Sequence, residues 1–331
     1  MDPDALAAAH RAEWRRLEEL SRSRRPTAAE TDELITRYRA ASADLADLKT
    51  SAGRTPHTDH LSLVLARARL RLTGVRPEPV AALVRFATAQ LPAALYRTRW
   101  TAAAVAVGFL LVVALAALWI AGDPAALAAL GDRADLEQYA EEEFTGYYSA
   151  NPAAVFAGTV WTNNAWIAAQ CVLFGVTGVW PVYVLVQNAV GLGVSAAVMA
   201  SFGRLDVFAG YILPHGMLEL TCVFVAAAAG LQIFWSWVAP GHRGRADALA
   251  AAGRSLATVA VGLAAALALS GAMEAWVTPA PWPAPVKIAV GALALALFLG
   301  YMLGLGRRAA RAGEDGDADP YERGAERLVA G

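Results

Sequence analysis

Cysteine is nearly absent from the 331 residues: Cys171 and Cys222 are the two, both inside apolar runs, where a small buried thiol is the expected role. This excludes a disulfide framework and a CxxC redox or zinc site. Lysine is as scarce, with Lys49 and Lys287 against 26 arginines, a bias of coding composition from which no function follows. With 28 basic and 29 acidic residues the formal net charge is −1, so nucleic-acid binding is not expected. A GxSxG elbow, a phosphate-binding glycine loop and the zinc-protease pattern HExxH are all missing. No apolar stretch precedes Trp100, so a cleaved secretory signal is not expected.

What the chain has instead is hydrophobic bulk. Hydrophobic residues make up 57 % of it, gathered in runs of about twenty, the length that crosses a hydrocarbon core of ~30 Å. Six spans are predicted: Trp100 to Ala121, Pro152 to Val176, Pro181 to Gly203, Pro214 to Val238, Leu256 to Val277 and Val286 to Leu305. The expected fold is all-α, a polytopic membrane helical bundle with an N-terminal cytoplasmic helical domain. Arginine and lysine set its orientation, because they bias a loop toward the cytoplasm. With the N-terminus inside, 25 of the 28 basic residues fall inside, and only Arg133, Arg204 and Lys287 outside. Both termini are thus expected in the cytoplasm of a multi-pass protein of the inner (plasma) membrane.

Residues 1–80 read as a helical hairpin or bundle. Thr27 and Glu30 form a capping-box pattern, and Leu34, Tyr38, Ala41, Leu45 and Leu48 follow in steps of four and three, a two-helix seam. Trp14, Leu17 and Leu20 offer a partner face, and "DHLSLVLARARLRLTG" a third helix that Gly74 can end. Residues 81–99 have the mixed arginine and aromatic character of an amphipathic juxtamembrane helix. The transmembrane domain covers 100–305 and includes an acidic outer loop, 122–151, whose aromatic residues are expected at the outer interface; 306–331 form a cytoplasmic tail.

Several spans carry polar residues. Asn163, with Asn164 beside it, marks the second span and Asn188 the third; such amides contribute roughly 0.6 kcal/mol per interhelical hydrogen bond. The stretch "LPHGMLEL" sets His215 and Glu219 four apart, on one face of a helix, with Pro214 expected in its first turn and Gly216 between. An acid at a helix centre costs about 2.5–3.5 kcal/mol on insertion scales, so Glu219 needs a partner; His215, Asn163 and Asn188 are the candidates. A metal is not expected, because His10, His57, His60 and His242 all fall in cytoplasmic segments.

These motifs carry a resemblance. "ELITRYRAASADLADLKT", "TNNAW", "QNAVGLG" and "LPHGMLEL" are similar, in order and pattern, to the cytoplasmic helix, paired asparagines, Asn-Gly-rich helix and PHG-x-x-E motif of the stage II sporulation protein M family, in its actinobacterial-type members. The resemblance covers roughly residues 10–310. It implies a non-enzymatic membrane scaffold, no catalytic residues and no cofactor. Implied partners are membrane lipids, envelope or peptidoglycan-remodelling proteins and a cytoplasmic MoxR-type ATPase system, with a second copy of the chain as a further candidate. Two alternatives come from the polar residues themselves: a small transporter or channel whose cavity is lined by His215, Glu219, Asn163 and Asn188, and, third, an intramembrane metal-dependent hydrolase.

Overall fold

The computed structural model of the protein describes residues 3–23, 26–53, 55–73, 79–147, 153–241, 244–314 and 316, and all regular structure among them is helical. The chain divides into two compact units, one ending at Ala82 and the other beginning at Leu83.

The first unit packs α1 (Pro3–Arg22), α2 (Ala28–Ala52) and α3 (Pro56–Thr73) around one core. Local chemistry starts α2: the Glu30 N–H donates to the Thr27 hydroxyl at 3.2 Å and the Thr27 N–H donates to the Glu30 carboxylate at 2.7 Å, which satisfies two otherwise orphaned donors. Gly53, at φ 66°, ends it in a region other residues avoid. Leu34, Ala41 and Leu48 are buried from α2, Trp14, Leu17 and Leu20 from α1, and Leu61, Val64 and Ala68 from α3, with Tyr38 and Leu45 packed on the rim. Gly74 lies outside the described residues.

The division falls within α4 (Pro79–Arg85), which runs through a π-turn over Phe86–Gln90 into α5 (Leu91–Gly122) of the second unit. The predicted juxtamembrane segment is therefore continuous with the first span. Its Pro92, Ala93, Ala94, Leu95 and Thr98 are buried, and Gly306, first residue of α14 (Gly306–Arg311), sits so close that a Cβ there would meet Tyr96 Cβ at 2.6 Å. Segments α6 (Pro124–Ala128), α7 (Arg133–Gln138) and α8 (Phe144–Tyr147) form the loop expected outside. Its aromatic residues do not all point away: Phe144 stacks on Phe208 with centroids 5.7 Å apart, and the Tyr139 hydroxyl lies 3.3 Å from Ser195 Oγ. Burying rings on the bundle removes more apolar surface from water than resting them on an interface does.

Then come α9 (Ala153–Leu173), α10 (Val179–Ser201), α11 (Leu205–Val238), α12 (Arg245–Trp276) and α13 (Ala284–Leu299). Among the described residues five continuous helical stretches, 80–122, 179–201, 205–238, 245–276 and 284–311, are long and apolar enough to cross a membrane. The remaining predicted span corresponds to α9, whose side chains before Thr162 lie outside the described residues. Helix α11 is central: Cys222 to Gly230 are buried without a break, as in a helix apolar on every face. Leu110, Leu111, Leu115 and Leu118 of α5 and Leu293 and Leu297 of α13 stay exposed, the surface a lipid phase would cover. Small residues let backbones meet: a Cβ on Gly193 would lie 2.8 Å from Val113 O, and one on Gly175 2.5 Å from Gly230 Cα.

One boundary differs from the prediction in a way that matters. Pro214 is not in the first turn of the fourth span but the tenth residue of α11, which begins at Leu205. Proline suits a first turn because its missing N–H is orphaned there anyway, but the apolar run before it is equally helical and continues through. The residue four earlier, whose carbonyl loses its donor, is the buried Gly210.

Candidate functional site

His215 and Glu219 are one helical turn apart on α11, and both are buried. The facing helix α12 adds Ser270 and Glu274, and Thr278 follows just past its end. His215 Nε2 lies 3.7 Å from Glu274 Oε1 and 4.0 Å from Glu219 Oε2. The other ring nitrogen, Nδ1, is 3.0 Å from the Thr278 hydroxyl, and Ser270 donates to the His215 carbonyl at 3.0 Å. Both ends of the histidine residue, ring and backbone, are thereby tied to the α12 side. The three ligand-type atoms of His215, Glu219 and Glu274 lie within 4.8 Å of one another.

Around this cluster Lys287, near the start of α13, donates to Thr278 O at 2.7 Å and sits 5.1 Å from the centre of the Tyr211 ring. Among the described residues its ammonium forms no ion pair with either carboxylate. Tyr211 is one turn before His215 on α11 and meets Phe144 edge-on, with centroids 6.1 Å apart, so aromatic residues from the loop and α11 cover this end of the bundle. Helix α13 reaches α11 at Gly291, where a Cβ would collide with the Pro214 carbonyl and come within 2.9 Å of that of Leu213. The Pro-His-Gly stretch thus serves two contacts: Pro214 faces α13 and His215 faces α12. Gly216 is buried too, and a Cβ there would press on Ile212 of its own helix at 3.2 Å.

The amides are elsewhere. Asn163 is exposed and Asn164 half-buried. Asn188 donates to Val184 O of its own helix at 2.7 Å. Among the described residues none of the three hydrogen-bonds to Glu219; the group brought to Glu219 and His215 is Glu274 instead. That residue stands in the predicted fifth span, in "SGAMEAWV", and the sequence reading missed it, although an acid within an apolar run is a signal that could have found it. Ser270, Thr278 and Lys287 had no such signal, since their roles depend on which helices pack together.

Chemically, the site gathers two carboxylates and an imidazole, all three buried. Like charges this close cannot both persist uncompensated, so the cluster requires a proton or a cation among them.

Comparison with known proteins bears on the same residues. The domain of unknown function DUF8413 matches residues 4–74, the three helices of the first unit. No curated protein and no solved structure matches the chain. The family model of stage II sporulation protein M matches residues 102–279, which hold His215, Glu219, Glu274, Asn163, Asn164 and Asn188. With more than half of its length inside that match, the chain belongs to the stage II sporulation protein M family.

Proposed function

We propose that the protein is a non-enzymatic membrane scaffold that holds envelope or peptidoglycan-remodelling partners in place. On this reading it sits in the plasma membrane with both termini in the cytoplasm. The observation that carries it is the joining, in one chain, of a family membrane bundle to a separately cored three-helix unit. The bundle supplies an anchor whose polar groups are spent largely on tying its own helices, and the unit supplies a folded surface for a cytoplasmic partner, an ATPase of the MoxR type among the candidates. Purification of the full chain from its native host in gentle detergent, beside a chain lacking residues 1–75, tests this. The expected result is a defined set of co-purifying proteins, with the cytoplasmic ones lost from the shortened chain. Recovery of nothing beyond the untagged control contradicts it.

A second reading, a small transporter or channel, is favoured by the buried His215–Glu219–Glu274 cluster, since ionisable groups inside a bundle often mark an ion or proton path. It predicts that Glu219→Gln keeps the fold and loses a transport activity, whereas the scaffold reading predicts retained partners.

A further inference from the structure

We propose that His215, Glu219 and Glu274 bind one divalent transition-metal ion that ties α11 to α12. The proposal is independent of the scaffold reading.

Three features support it. First, the donor groups converge without bonding one another. The 3.7 and 4.0 Å separations from His215 Nε2 to the two carboxylates exceed hydrogen-bond length, yet all three ligand atoms share a space under 4.8 Å across. Ligands about 2.0–2.2 Å from a tetrahedral ion lie about 3.3–3.6 Å apart, so modest rotation of the side-chain ends closes the site. Second, Glu274 is 4 % exposed and its Oε2 has no hydrogen-bond partner, an expensive way to leave a carboxylate unless something else occupies the space beside it. Third, Thr278 holds His215 Nδ1, the arrangement by which a neighbouring group orients an imidazole and turns its other nitrogen to a metal.

Charge and ligand type then choose the ion. A neutral imidazole with two carboxylates offers two negative charges, which one divalent cation balances, and the mixture of one nitrogen and two oxygens suits Zn²⁺ and its neighbours Co²⁺, Fe²⁺ and Mn²⁺ better than Ca²⁺ or Mg²⁺. Ligation requires ionised carboxylates and a neutral imidazole, so affinity rises with pH. The i, i+4 pair on α11 supplies a fixed half-site, and Glu274 completes it from α12.

The test uses the full chain in mild detergent, stripped with a chelator and titrated with Zn²⁺ alone by equilibrium dialysis and elemental analysis. One ion per chain is expected, with a higher Tm in its presence. Glu274→Gln, which keeps shape and removes a ligand charge, weakens binding by more than the about 10–100-fold expected of Thr278→Val, an orienting partner only. Titration of the unaltered protein with Co²⁺ adds a measurement that does not depend on variants folding: visible absorption of a tetrahedral or five-coordinate site is expected. A stripped, folded protein that binds neither ion overturns the proposal, as does Zn²⁺ binding that is unchanged in Glu274→Gln and His215→Gln.

Discussion

At Glu33 a single carboxylate accepts from Arg16 on α1, at 3.0 and 3.2 Å, and from Arg37 on its own helix, at 2.8 Å. These hydrogen bonds, Arg16 first, hold its carboxyl well below the usual range, at about 2. A carboxylate depressed in the folded state contributes stability that is present above its unfolded value, near 4.5, and is lost as pH falls toward 2. Denaturation of a fragment spanning residues 1–75 is therefore expected to show falling stability across that window. In Glu33→Gln the fall should be shallower, since the group that titrates is gone. Equal slopes in parent and variant contradict this use of Glu33. Single residues were also where the sequence was least legible. Thr27 and Glu30 could be paired because a capping box is local, but Glu219 and Glu274 are 55 positions apart, and nothing in either run says that α11 faces α12. The amides Asn163 and Asn188 were attractive as partners because they are polar in apolar surroundings. One is exposed and the other is satisfied by its own helix, an outlet that sequence spacing does not reveal.

Among elements, α11 carries most of the architecture, and glycines decide how near its neighbours come. Gly291 of α13 lies against the carbonyls of Leu213 and Pro214, and no flexible side chain stands between to yield. Gly291→Val forces backbone apart from backbone, and a loss of roughly 1–3 kcal/mol, the usual cost of overpacking, is expected. Gly300→Val, at a site with open space around the missing Cβ, is the control and should be nearly silent. Thermal melts in detergent compare the two; equal Tm values for both variants would refute the close contact. The heptad-like steps of α2 were readable because one face of one helix is enough to define them: Leu34, Ala41 and Leu48 are the buried set. The start of α11 was misread because proline at a helix start is common, and the sequence alone does not show that the apolar run before Pro214 continues the same helix.

For the whole molecule, the distribution of arginine is the strongest evidence of orientation. In a background lacking Cys171 and Cys222, both buried and unpaired, a cysteine at Gly131 is expected to react in intact cells with an impermeant thiol reagent, and cysteines at the exposed Arg22 and Gly313 only after lysis. Labelling at Arg22 from outside would invert the topology. Membrane character and helical class were plain from the length of the apolar runs. The proposed scaffold role was not, because such a role would act through surfaces, and a surface does not identify its partner by composition.

That role is tested most directly in living cells of the native host. A photoreactive amino acid is placed at Arg39 or Ala43, on the exposed side of α2, and at the buried Leu34 as control. The scaffold account predicts that irradiation joins the exposed positions, and not Leu34, to one or a few defined proteins, each recovered with the full-length chain. Adducts absent at every exposed position of α1, α2 and α3, or indistinguishable from those at Leu34, would contradict it.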